Sequence, residues 1–173
     1  MFEHWGEFYL LVGSAAAVLI GLIFVVVTLM QDKPRSTMLS GSRYYMGPVV
    51  LNVSFVLVLS AAALVADITP AAMAIVCAAI SVWGFARSAM SFNGIRTLVW
   101  DEEPPHWTDA WFYGAIPATI YIALAAVAVA FWTGQPWAPN GVAVVINAIL
   151  VVSIRNEWDL VTWLAPRGDA KPS

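Results

Sequence analysis

The sequence predicts an all-α integral membrane bundle of five transmembrane helices, with the N-terminus out and the C-terminus in. Three observations carry that expectation. The 173 residues are 61% hydrophobic and 11% charged, against roughly 45–50% and roughly 25% in soluble chains. Five apolar runs of membrane-spanning length follow one another, divided by short connections rich in proline. Every Lys and Arg falls on one side of the topology those runs define. The same composition excludes a disordered chain, a coiled coil and a small disulfide scaffold. A net charge of −3 leaves no basic surface for nucleic acid.

The first run covers residues 8–30 and contains no charge. It is too long for the apolar stretch of a cleaved leader, and Glu3 and Glu7 precede it where a leader carries positive charge. The second run covers 47–66, the third 70–90 and the fourth 112–132. The fifth, 141–164, is apolar to Ile154 and then takes up Arg155, Asn156, Glu157 and Asp159 before Trp163. At about 1.5 Å per residue each can cross a hydrocarbon layer of roughly 30 Å as a helix. Pro34, Pro48, Pro70, Pro104, Pro105, Pro136 and Pro139 mark the ends, and Asn140 is placed to cap the fifth helix. The chain therefore reads as a single membrane domain over residues 1–173, with no soluble domain in its loops.

Orientation follows from charge. Lys33, Arg35 and Arg43 fall between spans one and two, Arg96 between three and four, and Arg167 and Lys171 after five. Arg87 and Arg155 lie in the same-side ends of spans three and five. Positive residues mark the cytoplasmic side, so that side holds all of them. Tyr44, Tyr45, Trp100, Trp107, Trp111 and Trp163 band it, while Phe2, Trp5, Phe131, Trp132 and Trp137 band the other.

Two seams of small residues suggest close helix contacts. Gly13, Ala17 and Gly21 recur every four residues in span one, and Ser81, Gly84 and Ser88 form a second seam in span three. Each seam suits helix packing, and each suits the lining of a pore. The sharper feature is an inner-leaflet polar cluster, Asn52, Arg87, Arg155, Asn156, Glu157 and Asp159. Ionisable groups at that depth need partners or water. Arg155 and Asp159 are spaced i,i+4 and pair along one helix. Arg87 is expected to reach Glu157 or Asp159 from a neighbouring span, with Asn52 joining at similar depth.

Other chemistry has little support. Asp101, Glu102, Glu103, His106 and Asp109 sit in a proline-stiffened loop, 91–111, that reads as solvated rather than as a cation site. His4 and His106 fall on opposite sides of the membrane, so one chain cannot form a bis-histidine haem site. The lone cysteine, Cys77, is read as a packing residue. No phosphate-binding loop, nucleophile elbow or zinc-protease motif occurs. No cofactor or metal is expected, and no enzyme activity.

The opening run, Phe8-Tyr9-Leu10-Leu11-Val12-Gly13 onward to Thr28, resembles the start of many small, uncharacterised bacterial inner-membrane proteins. Their last helix often ends in Asn-x-Trp-Asp-Leu-Leu, which Asn156-Glu157-Trp158-Asp159-Leu160-Val161 resembles with Val at the last place. The likeness covers the two ends of the chain. It implies a multi-pass location in a bacterial inner membrane, and it draws attention to Asn156, Trp158 and Asp159.

The expected partners are the lipid bilayer and either further copies of the chain or another membrane protein. The first functional reading is a small homo-oligomeric channel-like or transport protein without catalytic chemistry. The alternative is a non-catalytic accessory or scaffold subunit of a larger membrane complex, with a lipid-modifying enzyme a weaker third.

Overall fold

The computed structural model describes residues 2, 4–29, 42–97 and 106–164. Lys33, Arg35, Trp100, Asp101, Glu102, Glu103, Arg167, Lys171 and the side chain of Trp163 lie outside the described residues. Within them the fold is entirely helical. Five helices carry it: α1 (Gly6–Leu29), α2 (Gly47–Leu64), α3 (Pro70–Thr97), α4 (Ile116–Trp132) and α5 (Ala138–Leu164). All five are long and apolar enough to cross a membrane once the turns leading into α2 and α4 are included.

Successive helices pack against one another. One end of the bundle holds Arg43, Arg96, His106 and Asp159; the other holds His4, Glu7, Asp67, Trp132 and Trp137. At this second end the N-terminal aromatics are drawn inward. Phe2 meets Tyr9 edge-on at 5.3 Å and Phe131 at 6.2 Å. Tyr9 is fully buried and donates its hydroxyl to the Pro139 carbonyl at 3.4 Å, so the start of α1 is tied to the α4–α5 turn.

The turns are built from local chemistry. After α2 the chain passes through Asp67 at φ 58°, a left-handed conformation that Asp tolerates better than most residues. Thr69 then caps α3, its Oγ1 accepting from the Ala72 N–H at 3.2 Å, and Pro70 fills the first helical position, where no N–H is needed. Helix α4 ends in a Schellman motif. Gly134 sits at φ +70°, its N–H bonds to the Phe131 carbonyl, and the Gln135 N–H reaches the Ala130 carbonyl at 2.8 Å.

Helix ends and hydropathy ends differ at three places. Helix α3 continues to Thr97, seven residues past the apolar run, because polarity ends a span but breaks no helix. Its one weak point, Gly94, is covered by the ring of Tyr44. A single helical turn, Trp107–Ala110, begins again before the fourth run, so residues 91–97 and 107–111 of the predicted loop are helical. Helix α5 starts at Ala138, which places Asn140 inside the first turn and gives Pro139 the early position that suits it.

Two π-helical turns, Ser42–Met46 and Trp111–Ala115, lead into α2 and α4. Each is followed by a proline, Pro48 or Pro117, two residues past its last residue. Neither proline has an N–H to return to the carbonyl four residues back, Tyr44 and Tyr113 respectively. The widened turn accommodates that missing bond. Both lie at the Arg-bearing end, and they present Tyr45 and Tyr113 to each other with ring centroids 4.7 Å apart.

The core is continuous and filled. Tyr9, Tyr113, Tyr121, Leu59, Met73, Leu124, Ile146 and Ile149 are fully buried. Helix α1 is the least covered, packed on α2 and, less closely, on α5. Helices α3 and α4 make the closest pair, because Gly84 admits the ring of Tyr121 and Gly114 admits the backbone of Phe92.

Candidate functional site

The polar side chains collect at the Arg-bearing end, where α5 meets the turn leading into α4. Helix α5 supplies them because its sequence stops being apolar while its helix continues. Buried residues recur along it at Val142, Val145, Ile146, Ile149, Ser153, Asn156, Glu157 and Leu160. The face that carries Ile146 and Ile149 into the core therefore also carries Asn156 and Glu157 inward.

Asn156 joins the two elements. Its amide nitrogen donates to the Phe112 carbonyl at 3.0 Å. Its own backbone carbonyl accepts from the Tyr113 hydroxyl at 3.0 Å. The same hydroxyl lies 3.2 Å from Asp159 Oδ2. Arg155 lies over the Phe112 ring, 3.8 Å from its centroid, and donates to Asn156 Oδ1 at 3.2 Å. It also pairs with Asp159 at 3.7 Å, both partly exposed. Tyr45 completes the layer by donating to Asp109 Oδ2 at 3.2 Å. The π turn at 111–115 serves this arrangement twice, by presenting the Tyr113 hydroxyl and the Phe112 carbonyl to the same helix.

Against the six-residue cluster expected from sequence, the structure brings four together and leaves two apart. Arg155, Asn156 and Asp159 form the bonded group, and Glu157 is beside them on α5. Arg87 is elsewhere: among the described residues it forms no ion pair. The reason is topological. Helix α3 packs on α4 and α2, while α5 packs on α4, α2 and α1, so α3 and α5 share no packed face. Arg87 also lies on the outward side of α3, with Trp83 and Met90. Asn52 is taken by a different partner. Its Oδ1 accepts from the Tyr121 hydroxyl at 2.6 Å, a side-chain bond reaching from α4 to α2, with Phe55 edge-on to the same ring at 6.0 Å.

The two seams also separate. Ser81, Gly84 and Ser88 are buried within the chain, and a Cβ on Gly84 would lie 2.3 Å from the Tyr121 ring. That seam is occupied by α4. In α1, Gly13 is buried against Ser60, whereas Ala17 and Gly21 are exposed and a Cβ on Gly21 would meet nothing within 4 Å. Four residues advance a helix by slightly more than one turn, so the row drifts around α1 from the covered face to the open one.

Two buried polar atoms near the cluster lack partners. Ser153 Oγ and Glu157 Oε1 are one helical turn apart on α5, and neither has a hydrogen bond. Unsatisfied buried groups are uncommon and call for water, an ion or a functional role. Among the described residues no group of three His, Cys, Asp or Glu side chains is arranged to hold a metal ion. Ser60 Oγ is unpartnered as well, at the α1–α2 contact.

Sequence reasoning missed the tyrosines. Tyr45, Tyr113 and Tyr121 donate to polar partners far away in the chain, on other elements of the bundle. The signal was present: a hydroxyl inside an apolar run requires a partner, and Pro48 and Pro117 mark where the backbone widens beside them. No protein-family model matches this sequence, and no curated protein or solved structure is significantly similar to it.

Proposed function

We propose that this chain is a non-catalytic, channel-like homo-oligomer of a bacterial inner membrane, with its N-terminus periplasmic and its C-terminus cytoplasmic, joined through α1. The observation that carries the reading is the contrast between a filled interior and an underpacked first helix. Tyr9 is fully buried at one end of the single bundle, Tyr113 at the other and Tyr121 between them, which favours a path between chains over one through the single bundle. Helix α1 offers the surface for it: Ser14, Ala17 and Gly21 are exposed together with Leu10, Val18 and Leu22. Small residues on a lipid-facing helix allow a second backbone to approach closely. The orientation rests on the one-sided distribution of Lys and Arg.

One observation favours the alternative, an accessory or scaffold subunit. Past Glu7 in its first turn, the exposed side of α1 is apolar apart from Ser14 and Thr28, which suits contact with a partner helix better than contact with water.

The deciding experiment is the mass and composition of the assembly extracted into lipid nanodiscs, for the wild type and Gly21→Leu. A closed assembly of a few identical copies that dissociates in the variant supports the proposal and makes ion flux in liposomes the next assay. A stoichiometric complex with a different protein selects the scaffold. A monomer throughout removes both readings.

A further inference from the structure

Four arginines lie among the described residues, and three have partners. Arg43 is over the ring of Tyr44, Arg96 over that of Phe92, and Arg155 is held by Phe112, Asn156 and Asp159. Arg87 alone, among the described residues, has neither a carboxylate nor a ring. It is set in an otherwise apolar surface. On the side of α3 turned away from α4, a shallow, wide-open groove formed by α3 alone runs from Ile75 to Met90. Ala79 and Ala86 keep its floor low, Ile75, Trp83 and Met90 rise from it, and among the described residues Arg87 is the only charged one lining it.

Depth can be worked from helix geometry. Asp67 and Thr69 place the polar boundary at the start of α3. A hydrocarbon layer of roughly 30 Å is crossed in about 20 residues, so the far boundary falls near Met90. The Arg87 backbone is then about 5 Å inside it, and a guanidinium can reach the phosphate level by extending along the helix. Such a cation requires an anion, because an uncompensated charge at that depth is costly. The described carboxylates at this end do not supply one: Asp109 and Asp159 are bonded to Tyr45 and Tyr113, and Glu157 is buried.

We propose that the outer groove of α3 is a phospholipid-binding site, with an acyl chain along Ala79 and Ala86 and an anionic headgroup phosphate on Arg87. The planar guanidinium suits a phosphate bidentately. A headgroup with net negative charge is preferred because, among the described residues, no carboxylate pairs with Arg87 to offset its charge. The site holds whichever way the chain is inserted and whether or not it oligomerises.

The test is native mass spectrometry of the protein released from nanodiscs of equal phosphatidylglycerol and phosphatidylcholine. The wild type should retain phosphatidylglycerol at least several-fold over phosphatidylcholine. Arg87→Gln should abolish that preference, Arg87→Lys should keep part of it, and Arg96→Gln should leave it unchanged. Ala79→Phe, which fills the groove without touching the charge, should reduce retention of both lipids. Protection of the buried Cys77 thiol identifies variants that have folded, and Ala79→Phe keeps the test open if Arg87→Gln has not. Equal retention of the two lipids by the wild type, or undiminished retention in folded Arg87→Gln or Ala79→Phe, overturns the proposal. A change of oligomeric mass in Arg87→Gln at constant lipid retention overturns it too, by assigning the arginine to a protein partner.

Discussion

Replacing Gly84 by alanine adds one methyl group, and the structure says where it goes. The new Cβ would lie 2.3 Å from Cε1 and Cζ of Tyr121 and 2.5 Å from Cδ1, so the ring has to move by about 1 Å or more to restore ordinary contact. It is not free to do so. Its hydroxyl donates to Asn52 at 2.6 Å and its edge meets Phe55. Overpacking of this kind costs about 1–3 kcal/mol. Losing the hydroxyl bond adds about 1–3 kcal/mol, since Asn52 is left buried without that partner. The better helix propensity of alanine returns about 1 kcal/mol. The expected net loss is about 1–5 kcal/mol. Cys77 provides the assay: it is the chain's only cysteine and is fully buried on the same helix, so labelling by a thiol-reactive dye during heating reports opening of α3. Gly84→Ala should label at a clearly lower temperature. Tyr121→Phe should cost about 1–3 kcal/mol, and the double variant should lose less than the sum because both disturb one hydrogen bond. A Gly84→Ala protein that labels like the wild type would refute the claim that α3 and α4 are locked by a ring seated on a glycine.

Three further outcomes are expected. Gly114→Ala should be at least as damaging by the same thiol assay, because its Cβ would meet the Phe92 backbone at 2.7 Å, and backbone yields less readily than a side chain. Tyr113→Phe removes the hydroxyl shared by the Asn156 carbonyl and Asp159; it should cost about 1–2 kcal/mol in denaturant titration, and an unchanged midpoint would mean that the polar layer does not hold α5 to α4. Glu157→Gln replaces a buried carboxylate that has an unpartnered oxygen. If that carboxylate serves structure alone, the variant should be as stable as the wild type or more so, and ion flux measured in liposomes should be the same for both; altered flux in a variant of unchanged stability would assign Glu157 to the conducting path.

The polar cluster shows where sequence reading runs out. The i,i+4 spacing of Arg155 and Asp159 specifies their pairing through helix geometry alone, and it is found at 3.7 Å. Arg87 has no such local rule. Matching depth with the carboxylates of α5 was the whole basis for joining them, and depth does not specify which helices are neighbours. The Asn52 partner was hidden for a related reason: Tyr121 lies 69 positions away, and only the close α3–α4 approach brings its ring toward α2. The seams differ likewise. Ser81, Gly84 and Ser88 are covered and Gly21 is open, although both rows have the spacing of packing seams.

Composition and periodicity by themselves determined the number of helices, their order and the clustering of positive charge, because each depends on residues near in the chain or on their transfer to lipid. Proline and threonine positions carried the turns for the same local reason. The tertiary structure decided which faces meet, which polar groups are satisfied and which of the described arginines remains alone. Those outcomes depend on close packing among helices distant in sequence, and a glycine that admits an aromatic ring settles them where hydrophobicity cannot, since all five helices are apolar on most of their faces.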